Sequence, residues 1–311
     1  MPGGFVALLD DVAAIARAAA ASVDDVAVAA GRAGSKTAGV VIDDAAVTPG
    51  YVTGLSPARE LPLIWKITKG SLFNKLVILL PGALLLSEFL PWAIIPLLML
   101  GGAYLCYEGA EKVIGKLGGE KHSQTLQDPI VDPAQFEQDR ASGAIRTDLI
   151  LSAEIMAITL NEVTAESLLT RAIVLALVGA GVTVAVYGVV ALIVKMDDVG
   201  LHLSLKEGKG SRLLGRLLLA AMPRLLVTLS QVGTVAMLWV GGGIILHGLH
   251  ELGWHGPSDI AHGIEHWVAG LSGAAGGVTG WISYAAVSAI FGLLLGAAIV
   301  FVAHKVFGIG H

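Results

Sequence analysis

"AIVLALVGAGVTVAVYGVVALIV", residues Ala172–Val194, runs for 23 residues without a charged side chain. At 1.5 Å per residue a helix of this length reaches about 34 Å, enough to cross a hydrocarbon layer of about 30 Å. Two further stretches read the same way. Leu225–Leu249 has His247 as its one titratable group, and Trp281–Ala303 is uncharged. Leu72–Tyr107 would be roughly 54 Å long as one helix, too long for a single crossing. It contains Pro81, Pro91 and Pro96. Two helices broken near Glu88–Trp92 are therefore expected, with Glu88 at the turn.

The composition agrees. Hydrophobic residues make up 55% of the chain, charged residues 14%, and the mean hydropathy is +0.75. Soluble domains carry about 25% charged residues. The fold class is all-α, a polytopic helical membrane protein. The lone Cys106 rules out an intramolecular disulfide. A net charge of −5 with no basic array argues against nucleic acid. The N-terminus "MPGGFVALLDD" lacks a basic n-region, so no cleavable signal is expected.

Two stretches are helical but less apolar. Phe5–Gly31 is rich in Ala and carries Asp10–Asp11 and Asp24–Asp25. Ser22-x-x-Asp25 has capping-box spacing, which places Asp24 and Asp25 in a first helical turn. Ile145–Val163 carries Asp148, Glu154 and Glu162, and fits either an interfacial helix or one inside a bundle. His122–Gly143 is polar with two prolines and reads as an extramembrane loop.

The chain resembles itself at an offset of 140. Lys69, Gly70, Ser71, Leu79, Leu85, Leu86, Leu98, Gly101, Gly102 and Glu111 recur as Lys209, Gly210, Ser211, Leu219, Leu225, Leu226, Leu238, Gly241, Gly242 and Glu251. This pattern suggests an internal duplication of a multi-helix unit plus an extra C-terminal transmembrane helix, as in many transporters. The expected organisation is a first repeat over 1–121, a loop over 122–143, and a second repeat over 144–251. A His/Gly-rich extracytoplasmic segment over 252–280 and a transmembrane helix over 281–311 complete it.

The candidate site residues are acids in apolar surroundings. Asp43–Asp44 and Asp197–Asp198 each follow an aliphatic run. Carboxylates beside free carbonyls at a helix end describe a cation site. Asp44 or Asp198 would equally serve as a helix cap, with Lys36 or Lys195 as counterion. Glu111 and Glu251 form the matched second pair, and Glu154 is a further acid. In "HGLHELGWHGPSDIAHGIEHW", His262 and His266 share a helix face, with Glu265 as an oxygen donor. "HGIEH" fits H-x-x-E-H, a weak zinc pattern with no identifiable third ligand. "GRAGSKTAG" and "EGKGS" both miss the P-loop pattern.

Arg59, Lys66, Lys69 and Lys75 precede the first hairpin, and Lys112, Lys116 and Lys121 follow it. His250–Gly280 has no Lys or Arg, and Lys305 closes the chain. The positive-inside rule then puts His250–Gly280 outside and Lys305 inside. Whether Ser211–Leu226 spans is left open by its Arg212, Arg216 and Arg224.

Several blocks carry a resemblance: "VALLDDVA" (Val6–Ala13), "KTAGVVIDDAAV" (Lys36–Val47) and "ARELPLIWKITKGSLFNKLVILLP" (Ala58–Pro81). The others are "GGAYLCYEGAEKV" (Gly101–Val113), "GAIRTDLILSAEI" (Gly143–Ile155) and "YGVVALIVKMDDVG" (Tyr187–Gly200). In these the chain resembles the YedI-like family of uncharacterised bacterial inner-membrane proteins. The resemblance implies a multi-pass helical protein of the bacterial inner membrane and implies no catalytic residues. The leading expectation is a small transporter or channel for a cation or a proton-coupled solute. A structural or regulatory membrane protein and a membrane-embedded metalloenzyme using the His cluster are the alternatives. The expected partners are the lipid bilayer, a cation and, in a homo-oligomer, further copies of the chain. The residues name no cofactor.

Overall fold

The computed structural model describes residues 23–37, 41, 44–45, 47–48, 51, 57–116, 133–206 and 208–307. Among these residues there are helices and turns and no strand. Residues 23–37 are helical and are called α1, with Asp24 and Asp25 exposed; Ser22 of the capping expectation lies outside the described residues. Asp10, Asp11 and Asp43 lie outside the described residues. The remaining helices are α2 (Pro57–Phe73), α3 (Leu80–Phe89), α4 (Ile94–Lys116), α5 (Pro133–Glu162) and α6 (Leu168–Val194). They are followed by α7 (Met196–Ser204), α8 (Lys209–Glu251), α9 (Gly256–Leu271) and α10 (Gly276–Phe307).

Five stretches are long and apolar enough to cross a membrane: Arg59–Phe89, Pro91–Gly115, Leu168–Ser204, Lys209–Glu251 and Gly276–Ala303. The chain is a multi-pass membrane protein. Trp65, Phe73, Val77, Leu177, Val184, Ile290 and Leu294 are exposed on their outer faces, as a lipid environment requires.

The first hairpin breaks where expected. Leu90 leaves the helical region (φ −145°, ψ 57°), and Pro91 opens a short 3-10 turn. Between α2 and α3 the helix does not stop but widens into a π-helical segment, Asn74–Leu79. Pro81, which follows, has no N–H to return to the carbonyl four residues back. The wider turn shifts the bonding to i→i−5, with the Leu80 N–H on the Lys75 carbonyl. Lys75, expected among the flanking basic residues of a loop, is instead turned inward at the start of this segment and is fully buried.

Helix α5 fails the hydropathy test yet runs the length of the bundle. Glu88 at the end of α3 pairs with Arg171 at the start of α6 at 2.7 Å, so α6 begins at the hairpin end. Helix α4 leads away from the hairpin to the opposite end, and α5 connects the two. Its buried flank, including Leu151, Ile155, Met156 and Leu160, packs on α6, α3 and α1. The segment expected as a loop up to Gly143 is already helix from Pro133.

Helices α4, α8 and α10 form a second bundle through glycines. A Cβ on Gly102 would stand 3.0 Å from the Gly241 carbonyl oxygen, and one on Gly241 2.7 Å from that of Gly102. Cβ atoms on Gly242, Gly292 and Gly296 would run into the carbonyls of Ser288, Leu238 and Cys106. Backbones this close admit no side chain.

The two segments matched in sequence differ in shape. Lys69–Glu111 is broken by the π turn and at Leu90, whereas Lys209–Glu251 is one continuous helix of 43 residues. The two segments therefore do not share one helix–break–helix form. Their glycine pairs do meet, with α4 and α8 antiparallel: Met99 lies against Gly248, and Gly109 against Leu238. Ser211–Leu226 is thus the first part of α8, packed on α7 through Gly200 and Gly215. At about 64 Å, α8 is roughly twice the hydrocarbon thickness.

Candidate functional site

Lys75 Nζ donates to Asp148 Oδ1 at 2.9 Å and to Ser71 Oγ at 2.7 Å. The lysine side chain is 0% exposed and the aspartate 2%. Ser71 sits one turn before Lys75, and its hydroxyl meets Thr183 Oγ1 of α6 at 3.4 Å. Thr183 gives its own proton to the Gly179 carbonyl at 2.8 Å, so Ser71 is the donor to Thr183. Tyr187, one turn further along α6, donates to Asp148 Oδ1 at 3.1 Å. Asn74 fixes the register by donating to the Ile145 carbonyl at 3.2 Å. Gly179 leaves room for Met156, whose Cε would stand 2.6 Å from a Cβ there, and lies in ordinary contact with the lysine stem.

The depth of this pair is informative. Along the crossing Arg59–Phe89, Lys75 lies about 24 Å from one end and about 21 Å from the other. It is too far from either end for its ammonium to reach water along its own stem. Asp148 is likewise near the middle of α5. Taking both charges out of water costs several kcal/mol per ion, offset only where geometry and hydrogen bonds are good.

A second cluster occupies the adjoining face of α5. Tyr51 OH donates to Glu108 Oε1 at 2.5 Å and lies 2.7 Å from Thr147 Oγ1. Thr147 Oγ1 is 3.2 Å from Glu108 Oε2, and Lys112 Nζ is 2.8 Å from Glu108 Oε1. Lys112 also sits 4.7 Å over the Tyr51 ring. Burial, and then the Glu108 carboxylate beside it, push the Tyr51 phenol well above its ordinary range, so it stays a proton donor. Thr147 and Asp148 are consecutive, so one turn of α5 holds both clusters.

The sequence candidates fare unequally. Asp44 is buried, accepts from Thr48 Oγ1 at 2.9 Å through its carbonyl, and lies within electrostatic reach of Tyr187. Asp198 is exposed and paired with Lys195. It lies about 16 Å beyond Tyr187 along α6 and into α7, so the two acids are not brought together. Asp197 is in α7. Glu111 and Glu251 fall on opposite sides of the Gly102–Gly241 crossing, about 13 Å and 15 Å from it, and do not converge. Glu111 lies beside Tyr107. Glu154 projects from another face of α5, within reach of Tyr284.

His262 bonds Glu265 at 2.9 Å and stacks on Tyr284, while His266 is exposed. His250 and His255 approach with Nδ1 atoms 3.0 Å apart. Among the described residues no three His, Cys, Asp or Glu side chains are grouped to hold a metal.

Lys75, Glu108, Thr147 and Tyr187 were not among the candidates read from the sequence. A signal existed: "LFNKLVILLP" sets Lys75 alone in an apolar run, and "IRTDLILSAEI" sets Asp148 and Glu154 among Leu, Ile and Ala. Such charges inside a membrane find each other.

Helices that cross a membrane several times and enclose an ion pair define a polytopic α-helical membrane protein. The chain belongs to the family described as Protein of unknown function (DUF808), whose model matches residues 3–302. No curated protein and no solved structure matches the chain.

Proposed function

We propose that the protein carries protons and a small cation across the bilayer, with Lys75 and Asp148 as the exchange site. The observation that carries this reading is the fully buried Lys75–Asp148 pair halfway along a crossing. Ionisable groups at that depth are costly, and in membrane proteins they mark ion pathways. A cation that takes the Asp148 carboxylate displaces the ammonium. Lys75, now without its counterion in an apolar interior, releases a proton. For a monovalent cation charge at the site is conserved: one cation enters and one proton leaves. Ser71 and Tyr187 hold the two partners in place, and Asp44 supplies a second carboxylate nearby.

The basic residues support an orientation. Arg59, Lys66, Lys69, Lys112, Arg140 and Lys209 gather at the ends of helices that face away from the Glu88–Arg171 end. By the positive-inside rule the end opposite Glu88–Arg171 is cytoplasmic, which leaves α9 outside and Lys305 inside. The resemblance to the YedI-like family favours a bacterial inner membrane.

The test is flux. Purified protein in proteoliposomes enclosing a pH-sensitive dye should change the internal pH when Na+, K+, Mg2+ or Ca2+ is added outside, and Asp148→Asn should abolish the response. Wild-type protein indistinguishable from empty vesicles with all four cations would remove the transport reading and leave the pair a structural device.

A further inference from the structure

Helix α5 carries a polar feature beyond the ion pair. Asp148, Ser152, Ile155 and Thr159 are spaced i, i+4, i+7 and i+11, within about 60° of one another on the helix. All four are buried, none more than 2% exposed. A hydroxyl inside a helix ordinarily gives its proton to the carbonyl four residues back, as Thr68 and Thr183 do here. Ser152 and Thr159 do not. Among the described residues neither hydroxyl has a hydrogen-bond partner, and neither does Asp148 Oδ2, the oxygen not used by Lys75 and Tyr187. Buried polar atoms of this kind are the ones that ordered water satisfies.

The position of these atoms gives them a direction. Thr159 is about 16 Å along α5 from Asp148 and one turn before Glu162, which pairs with Lys36 at 3.4 Å at the hairpin end of the bundle. On the other side of Asp148, Thr147, Glu108, Tyr51 and Lys112 already form a bonded chain toward the opposite end. The hydroxyls therefore lie only on the side that the side-chain network leaves uncovered. Ile155, flanked by Val174, Val178, Val182 and Ala33, makes the walls between them apolar, which suits a narrow file rather than a wide cavity.

We propose that the Asp148–Ser152–Thr159 face of α5 holds a file of water that conducts protons between the ion pair and the Glu162 end. This rests on the reading of the pair as an exchange site, which gives the file its inner terminus.

The lone cysteine makes the test direct. In a Cys106→Ala background, Ser152→Cys and Thr159→Cys are each treated, as full-length protein in proteoliposomes, with a small cationic methanethiosulfonate and read by intact mass. Both thiols should be consumed, while Leu175→Cys, buried on α6 among apolar side chains, stays unmodified. Ser152 and Thr159 thiols as inert as that at 175 would overturn the file. If one variant does not fold, the other decides. Ser152→Ala/Thr159→Val removes both hydroxyls and no internal hydrogen bond, so it should lose flux without losing thermal stability. Undiminished flux in that variant would also overturn the proposal. A wild-type protein with no flux but reactive thiols would retain the water file and remove the transport reading.

Discussion

The two helix bundles solve the same packing problem with opposite chemistry. In the α4–α8–α10 bundle Gly102, Gly241, Gly242, Gly292 and Gly296 bring backbones together, and among the described residues the buried polar side chains there are the hydroxyls of Thr234 and Ser288, with no fully buried charge. In the bundle of α2, α3, α5 and α6 the interior holds Ser71, Asn74, Lys75, Thr147, Asp148, Ser152 and Thr159. Close van der Waals packing is sufficient to hold helices together in lipid. A bundle built for rigidity alone has no need of the second solution, with its desolvation cost. On the transport reading proposed above, the scaffold belongs to the glycine bundle and the chemistry to the polar one.

The comparison can be broken by substitution. The largest effect is expected at the ion pair. Lys75→Met should lower stability by about 3–5 kcal/mol, because Asp148 loses its counterion in the interior. Lys75→Met/Asp148→Leu should recover most of that loss, because a buried pair replaced by apolar groups is often neutral. Thermal unfolding of the purified protein in detergent reads both. Equal losses in the single and double variants would mean that the site is held by shape rather than by charge.

The next effect belongs to the glycines. Gly296→Ala or Gly242→Ala should cost about 1–3 kcal/mol or more, since each new methyl meets a backbone carbonyl and not a movable side chain. Flux per folded molecule should be unchanged. A glycine variant that folds normally but transports nothing would place chemistry in the wrong bundle.

The smallest effect is expected outside both cores. Asp198→Asn removes an exposed ion pair with Lys195 and should cost at most about 1 kcal/mol. It should leave flux intact, whereas Asp44→Asn, beside Tyr187 in the polar bundle, should slow it. Identical flux from the Asp44 and Asp198 variants would erase the distinction that burial draws between them.

The glycine bundle was the more legible of the two in the sequence. The spans within α8 and α10 are runs free of Asp, Glu, Lys and Arg, as is that of α6 in the other bundle, and hydropathy reads composition directly. The break at Leu90 was legible for the same reason, since Pro91 acts locally. The polar bundle was hidden because its logic is pairwise. Lys75 looks like a flanking charge until Asp148 is brought against it from 73 residues away. Helix α5 does not look like a crossing because Thr147, Asp148, Ser152 and Glu154 lower its hydropathy, and the partners that make Thr147 and Asp148 tolerable sit on α2, α4 and α6. The acid pairs drew attention by being adjacent in sequence, yet adjacency says nothing of burial: Asp44 is enclosed and Asp198 is not. The matched "KGS" segments show the same limit, since Ser71 bonds a buried lysine and Ser211 opens a helix at the surface.

The most direct test of the division between the bundles is one flux measurement on two variants. Asp148→Asn and Gly296→Ala are reconstituted at equal amounts of folded protein and assayed for cation-driven pH change beside the wild type. The account predicts wild-type flux from Gly296→Ala and none from Asp148→Asn. Flux from Asp148→Asn equal to that of the wild type would contradict it.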